Sequence, residues 1–423
     1  MDKGYKRFIL IWIGAFVSAI GSGLSSFGLG VYVFKETGLA SATGLVILAG
    51  FLPGLLLSPI AGALADRFDR RILMIIGDGL SAIGILTIVL SMIIGKAGVA
   101  IVIFGVAISS IFSALVEPAF KATVTDLLDK EMFSKASGMV QIINSSKFLF
   151  SPLLAGLLLS VSDIKLLLWI DILTIIPMVV LTNMVRKDIP FKKIHGESTI
   201  IQEIKGGYRV LRNNAGIWKL VILSSQISVF LGILQTLITP FILSFSEEKF
   251  LGFAISLSAI GILVSSGILG VVTIKSGYHK ILSISLFLAG IFMAGFGLRE
   301  NKLLICIFGF LFFSMLPFAN MALDYLVRTN ISDEVQGRAW GLIGLISQVG
   351  YIISYALIGL IADNVFVPLL QNDSPISNVV NRLLGHGVGS GFAIVIVLSG
   401  IALSLTSLVI HREKNIIQLE EGL

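Results

Sequence analysis

The sequence contains little charge. Asp, Glu, Lys and Arg make up 13% of the 423 residues, about half of their share in an ordinary soluble domain. Hydrophobic residues make up 56%, so too few polar side chains remain to cover a globule of this size. This composition excludes a water-soluble domain and predicts an integral membrane protein.

Cysteine and histidine are also scarce, with one and four copies respectively. Cys306 has no partner in the chain, which excludes an internal disulfide. The histidines lie outside the apolar runs of the sequence, so we expect no cluster of metal ligands or catalytic groups. No loop of the Walker type, ending in Gly-Lys-Ser or Gly-Lys-Thr, is present. We therefore expect neither an ATPase nor another enzyme, and no cofactor.

The sequence is rich in long apolar runs. About a dozen runs of roughly 20 apolar residues follow one another between polar breaks, and this length crosses a bilayer as a helix. If both termini are cytoplasmic, 22 of the 31 Lys and Arg residues fall on the inner side and seven on the outer side. This asymmetry favours that orientation. The basic net charge follows from the topology and does not indicate nucleic-acid binding.

The two halves of the sequence resemble each other. Ser151-Pro-Leu-Leu-Ala-Gly in the fifth run aligns with Ser354-Tyr-Ala-Leu-Ile-Gly in the eleventh, and the offset of 203 also pairs Ala136 with Ala339. Six helices have been duplicated in parallel, which predicts an all-α membrane protein with twelve transmembrane helices in two six-helix bundles. The predicted parts are an N-terminal bundle, a cytoplasmic linker and a C-terminal bundle, at residues 1–186, 187–215 and 216–423.

The linker has the pattern of a surface helix. Thr199 and Gln202 have the spacing of a capping box. Apolar residues at 200, 201, 204, 208 and 211 form one stripe, opposite Lys205, Arg209 and Arg212. We expect a short helix on the cytoplasmic membrane surface, and a disordered linker is the alternative.

Charge is concentrated between the second and third runs, in the segment Gly62-Ala-Leu-Ala-Asp66-Arg67-Phe-Asp69-Arg70-Arg71. Asp66 ends the second predicted helix, where the helix dipole disfavours an anion, so its carboxylate should seek positive charge elsewhere. We expect the three arginines to pair with Asp66, with Asp69 or with lipid phosphates. A simple positive-inside anchor is the alternative, but it leaves the two aspartates unexplained.

This segment resembles the cytoplasmic loop motif of the major facilitator superfamily, G-x-L-a-D-r-x-G-r-r, with Asp69 in place of the second glycine. The segments beginning at Ser18, Leu52 and Asp333 are similar to the branch that contains macrolide efflux transporters. The resemblance implies export of a hydrophobic or amphipathic compound across a bacterial cell membrane, with alternating access and proton antiport. A lysophospholipid or siderophore transporter of the same fold, or a sensor or scaffold that transports nothing, is the alternative.

The resemblance also implies a gate. In the family, the loop aspartate faces the N-terminal end of helix 11, near Gly337 to Trp340 in this sequence, and holds the cytoplasmic side shut. Ile274 occupies the aspartate position of the second half, so we expect a latch on one side only. The residues to which the resemblance assigns this gating motif are Gly62, Asp66, Arg67, Asp69, Arg70, Arg71 and Arg338.

Ionisable residues inside apolar runs are costly, and each is a candidate functional group. The candidates for proton coupling are Glu117, Asp78, Asp171 and Asp324. We favour Glu117 because burial would desolvate its carboxyl group, and the alternative is a structural ion pair with Lys147 or Lys121. For Asp78 and Asp171 we expect hydrogen bonding between helices, and Asp324 has the spacing to pair with Arg328.

The family's central cavity lies mainly among helices 1, 4, 7 and 10. The candidate cavity residues are Ser22, Ser26, Glu117, Asn144, Lys147, Gln226, Gln235 and Asn320. One departure concerns helix 4, where proton-coupled relatives often carry an arginine and this sequence has Ser109, Ser110 and Ser113. We expect the partners to be an amphipathic small molecule, protons and membrane lipid, and the chain to be a monomer.

Overall fold

A computed structural model of the chain describes residues 3–186, 208–209, 211–212, 214–272, 274–372, 375–385 and 387–421, without the side chains at 333–334, 337–338, 375–376 and 421. The described residues form helices and contain no strand. Twelve helices have the length and apolar composition to cross a membrane. This confirms the predicted all-α membrane protein with twelve spanning helices.

The spanning helices are α1 (Lys3–Thr37), α2 (Ala40–Arg67), α3 (Arg70–Ile94), α4 (Val99–Leu127), α5 (Lys130–Leu159), α6 (Ile164–Arg186), α7 (Ala215–Leu243), α8 (Glu248–Val271), α9 (Tyr278–Gly297), α10 (Lys302–Arg328), α11 (Ala339–Gln371) and α12 (Val388–His411). Helical backbone already begins at Asp333, ahead of α11. A short helix, Pro375–Leu384, precedes α12. The chain closes with α13 (Lys414–Glu421).

The chain divides into two compact units. The first comprises residues up to Thr37 and from Leu45 into the linker, and the second comprises the C-terminal half together with Gly38–Gly44. The first turn of α2 is therefore grouped with the C-terminal half, which the sequence did not predict. Most of the predicted linker helix, including Thr199 and Gln202, lies outside the described residues.

Two spanning helices are interrupted where proline removes a backbone donor. In α4 the regular helix ends at Ser113 and resumes at Val116, because Pro118 cannot donate to the carbonyl of Ala114. In α5 it breaks at Phe150, two residues before Pro152. The break in α4 lies one turn before its proline.

Four pairs of packed helices recur in both units. In the first unit α1 packs against α5 and α6, and α3 packs against α4 and α6. In the second unit α7 packs against α11 and α12, and α9 packs against α10 and α12. Adding six to each helix number converts one set of contacts into the other, as expected of a parallel duplication.

One contact in the first unit shows how closely such helices approach. The Ser151 hydroxyl on α5 donates to the backbone oxygen of Ile20 on α1, at 3.1 Å. Gly23 lies beside it, and a Cβ atom at Gly23 would fall 2.3 Å from Ser151 Oγ. A small residue on one helix thus admits a hydroxyl from the other, a common arrangement where membrane helices meet.

The second unit contains the equivalent contact. Ser354 on α11 donates to the backbone oxygen of Val229 on α7, at 2.7 Å, and a Cβ atom at Gly232 would lie 2.7 Å from Ser354 Cβ. Ser354 is the residue that the sequence alignment paired with Ser151. The duplication therefore extends from the sequence to individual interhelical hydrogen bonds.

Helices α3 and α4 meet through two glycines. A Cβ atom at Gly84 would lie 2.1 Å from the backbone oxygen of Gly105, and one at Gly105 would lie 2.6 Å from the backbone oxygen of Gly84. Both of these neighbours are backbone atoms, which cannot move aside as the end of a side chain can. The crossing therefore requires glycine on both helices.

We predict opposite effects for two Gly→Ala changes in α3. Gly84→Ala forces the backbones apart and should destabilise the protein by about 1–3 kcal/mol. Gly79→Ala meets no atom within 4 Å and should stabilise the helix by up to about 1 kcal/mol. Thermal unfolding of the purified variants in detergent measures both, and equal midpoints would contradict this account of the crossing.

Candidate functional site

The charged segment between α2 and α3 is fixed by an acid on α4. Arg70 is buried, and its Nη1 lies 2.6 Å from Asp126 Oδ1 and 2.8 Å from the backbone oxygen of Ala122. Arg71, whose side chain is 2% exposed, reaches Asp126 Oδ2 at 3.4 Å. One carboxylate thus neutralises two buried guanidinium groups and joins the start of α3 to the end of α4.

Asp69 has a local role at the start of α3. Its Oδ1 accepts from the backbone N–H of Arg71 at 3.0 Å, which caps the helix. Its Oδ2 accepts from Arg186 Nε, at the end of α6, at 3.3 Å. The departure from the family's glycine therefore adds both a cap and an ion pair.

Asp126 is a partner of Arg70 and Arg71 that the sequence did not predict. It pairs with both arginines. Asp126 lies more than 50 residues along the chain, and its sequence context, Val-Thr-Asp-Leu-Leu, gave no signal. Asp66 and Arg67 are exposed and Gly62 is half-buried. The side chain of Arg338 is not among those that the structure describes.

Removing the shared acid should be costly. Asp126→Ala leaves two buried cations without their counter-charge, and breaking a buried pair in this way costs on the order of 3 kcal/mol. Asp129→Ala, three residues further on at an exposed position, is the matched control. We expect a lower unfolding midpoint and less protein in the membrane for Asp126→Ala alone, and equal loss in both variants would contradict the role of Asp126.

In the second unit, the helix equivalent to α3 is α9, and its start is capped by a residue from a distant segment. Gly277 stands at the position that corresponds to Asp69, has φ +83° and offers no side-chain cap to α9. Glu420 of α13 supplies the carboxylate instead. Its Oε1 accepts from the N–H groups of Gly277 and Tyr278, and its Oε2 accepts from the N–H of His279 at 3.1 Å and from His279 Nδ1 at 2.6 Å.

These contacts fasten α13 to the second unit. Burial raises the pKa of Glu420, but the hydrogen bonds from the His279 side chain and from three backbone N–H groups outweigh it, so the pKa lies below its ordinary value. Asn330 at the end of α10 donates to the backbone oxygen of Leu419 at 3.0 Å. An ion pair joins Lys219 and Glu413 at 2.6 Å. The loop before α9 has no capping carboxylate of its own, and the C-terminal helix α13 thus supplies one.

The lowered pKa predicts a pH-dependent contribution to stability. The carboxylate stabilises the folded chain fully above the ordinary Glu value of about 4.3, and this contribution is lost as the pH falls through the lowered pKa. Glu420→Gln should therefore unfold at a lower temperature than the parent at pH 7, and the difference should shrink in acid. The exposed Gln418→Ala is the control. A difference that does not depend on pH would contradict this role.

Two buried carboxyl groups lie in the first unit. Asp171 on α6 is buried and accepts from the Ser22 hydroxyl on α1 at 3.5 Å. Asp78 on α3 is also buried, and its Oδ2 has no hydrogen-bond partner among the described residues. Lys147 on α5 is exposed and interacts electrostatically with both carboxyl groups. Helices α1, α3, α5 and α6 thus bring two acids and one base together at membrane depth.

The other two acids are placed differently. Glu117 is not buried within its unit as predicted. Its side chain is 65% exposed and pairs with Lys121 one turn away, at 2.6 Å, which is one of the two ion pairs named as the alternative. Asp324 pairs with Arg328 at 3.3 Å, as its spacing indicated. Each of these acids thus has a partner on its own helix.

The candidate cavity residues fall into two groups. Ser22 binds Asp171, and Gln235 accepts from the Tyr355 hydroxyl, so both serve contacts inside their own units. The remaining candidates are exposed on spanning helices: Ser26, Glu117, Asn144, Lys147, Gln226 and Asn320. Ser151, one turn after Lys147 on α5, is buried against α1.

Comparison with known proteins assigns the family. Residues 11–355 match the profile of the Major Facilitator Superfamily. The chain belongs to this superfamily. It is 30% identical to Macrolide efflux protein A of Streptococcus pyogenes over 85% of this chain and 90% of that protein. It is also 30% identical to the Enterococcus faecalis protein of the same name, over 71% of this chain and 95% of the relative.

The fold agrees with this assignment. The crystal structure of the nucleoside transporter NupG matches with a TM-score of 0.75 at 13% identity, over 96% of this chain and 99% of that chain. At this identity the likeness concerns the fold alone. This major facilitator chain is thus a multi-pass membrane protein whose relatives and structural neighbours are transporters rather than enzymes.

Proposed function

We propose that the chain exports a hydrophobic or amphipathic drug of the macrolide type from the cell, in exchange for protons. The observation that carries the proposal is the 30% identity to two proteins named Macrolide efflux protein A, which extends over most of both chains. We further propose the bacterial cytoplasmic membrane as the location, with both termini cytoplasmic, because Lys and Arg are then concentrated on the inner side.

Exposed polar side chains on spanning helices support a solute pathway. Asn144 and Lys147 lie on one face of α5, Gln226 lies on α7 and Asn320 on α10, and all four are exposed. Hydrocarbon would exclude such groups, so they support water-lined surfaces of the kind that contact solutes in transporters. The apolar remainder of these helices suits a substrate with little charge.

The buried acids support coupling to protons. Asp171 and Asp78 have lost most contact with water, and Asp78 lacks a hydrogen-bond partner for one oxygen. In such a place proton binding and release depend on whether water reaches the group. Lys147 provides a positive charge that can compensate one deprotonated acid. We therefore transfer the proposed proton-carrying role from Glu117 to the Asp171 and Asp78 pair.

Export is tested in proteoliposomes that contain the purified chain. The panel comprises a macrolide, a lysophospholipid, a siderophore and a nucleoside, each measured with and without an imposed pH difference. We expect transport of the macrolide, accelerated by a gradient that drives protons against the drug. Transport of the lysophospholipid or siderophore alone would favour the alternative function, and no transport of any compound would contradict the proposal.

The proton carriers are separated by isosteric substitutions. Asp171→Asn or Asp78→Asn should reduce pH-driven export at least tenfold, while exchange of drug without a gradient persists because the fold remains. Glu117→Gln serves as the matched control and should retain most of the export, since its charge is balanced by Lys121. If Glu117→Gln abolishes coupling and Asp171→Asn does not, the assignment is wrong.

A further inference from the structure

An aspartate near the end of α11 caps the start of α2. Asp363 Oδ1 accepts from the backbone N–H of Ala40 at 3.0 Å, and its Oδ2 accepts from the N–H of Ser41 at 2.8 Å. These N–H groups belong to the first turn of α2, where no carbonyl of the same helix is available to them. A carboxylate more than 320 residues away in sequence thus serves as the cap.

The surroundings are built for this contact. Gly359 lies one turn before Asp363, and a Cβ atom there would fall 2.4 Å from the Cα atom of Ser41. One turn earlier, the backbone oxygen of Tyr355 would lie 2.6 Å from a Cβ atom at Gly44. Two glycines, one on each helix, therefore allow the backbones of α2 and α11 to touch over successive turns of α11. This close approach brings Asp363 to the first turn of α2.

The helix is irregular at this point. Residues Ala362–Phe366 form a π-helix, the wide turn that is often found at functional sites. The first turn of α2 suits an anion at this position, because its N–H groups and the positive end of its dipole face the carboxylate.

The position of this contact makes it suitable for gating. The first turn of α2 belongs to the second unit, whereas α2 from Leu45 onward belongs to the first. One helix is therefore shared by the two units, and Asp363 binds the part that lies with the second. With cytoplasmic termini, this end of α2 is the outer end.

We propose that Asp363 is the outer latch of the transport cycle. Its carboxylate holds the first turn of α2 on α11 while the outer side is closed, and it releases the turn when that side opens. The proposal rests on the proposed transport function. Asp363 acts as a positioning residue, because it acts through α2 rather than on the substrate. Asp66, at the end of α2, is predicted to face the start of α11. Helices α2 and α11 would then each carry an aspartate that binds the N-terminal end of the other helix.

The latch is tested by labelling a buried reporter. In a Cys306→Ser background, Thr43→Cys places a thiol in the first turns of α2, at a position that is 1% exposed. A membrane-impermeant maleimide is added from outside. Asp363→Asn should speed labelling about tenfold, as expected for losing hydrogen bonds to a charged group. Asp363→Glu should restore slow labelling, and Asp163→Asn, at an exposed outer position, should change nothing.

A reversible cross-link provides the second arm. Ser41→Cys with Asp363→Cys removes the carboxylate when reduced and replaces it by a disulfide when oxidised. In a version that also carries the Thr43→Cys reporter, labelling is read at position 43 alone, from the mass of the modified peptide. Labelling at this position should be slow while the pair is oxidised, and reduction should make it fast. Oxidation should also stop export, and reduction should restore it. Labelling requires no substrate, so it distinguishes failure of the latch from failure of the proposed function.

The proposal is overturned if Asp363→Asn labels at the parent rate. A second chain that keeps Cys306 and has no reporter is labelled in parallel. The proposal is equally overturned if Asp363→Asn lowers the unfolding midpoint and exposes Cys306 in that chain as strongly as the reporter at position 43, because Asp363 would then be structural. Continued export by the oxidised pair would also overturn it.

Discussion

Helices inside a bilayer gain little from the hydrophobic effect when they meet, because lipid is as apolar as their own side chains. The rest of this structure depends on that constraint. Its helices are joined by glycines that let backbones touch, as at Gly84 and Gly105, and by hydroxyl groups that donate across the contact, as at Ser151 and Ser354. Both devices recur in the two units, so the duplicated sequence preserves the contacts as well as the helices.

A second device operates at the helix ends, where carboxylates bind unpaired backbone N–H groups. Asp69 caps α3 locally, Glu420 caps α9 from the C-terminal helix, and Asp363 caps α2 from the end of α11. These caps lie near the membrane surfaces, where water can replace a lost hydrogen bond at small net cost. Glycine crossings are suited to permanent contacts, whereas caps of this kind are suited to contacts that break and form again during a transport cycle.

The sequence was sufficient for the number of helices, the duplication, the family and the pairing of Asp324 with Arg328. These follow from periodicity, from spacing and from one local motif. It did not predict Asp126 as the partner of Arg70 and Arg71, Glu420 as the cap of α9, or Asp363 as the cap of α2. Each of those contacts joins segments far apart in the chain, and an isolated acid carries no local pattern that reveals its partner. The exposure of Glu117 was missed because an apolar run does not show which face of a helix is buried.

The central claim is that the chain contains two copies of one six-helix bundle, and that equivalent contacts hold the helices together within each copy. An electron cryomicroscopy structure of the protein in a lipid nanodisc tests it directly. Superposition of residues 3–186 on residues 214–411 should place α1 on α7 and bring the Ser151 hydroxyl bond to Ile20 onto the Ser354 bond to Val229. Halves that superimpose only with the chain direction reversed, or serine hydroxyl groups that face lipid, would contradict the account.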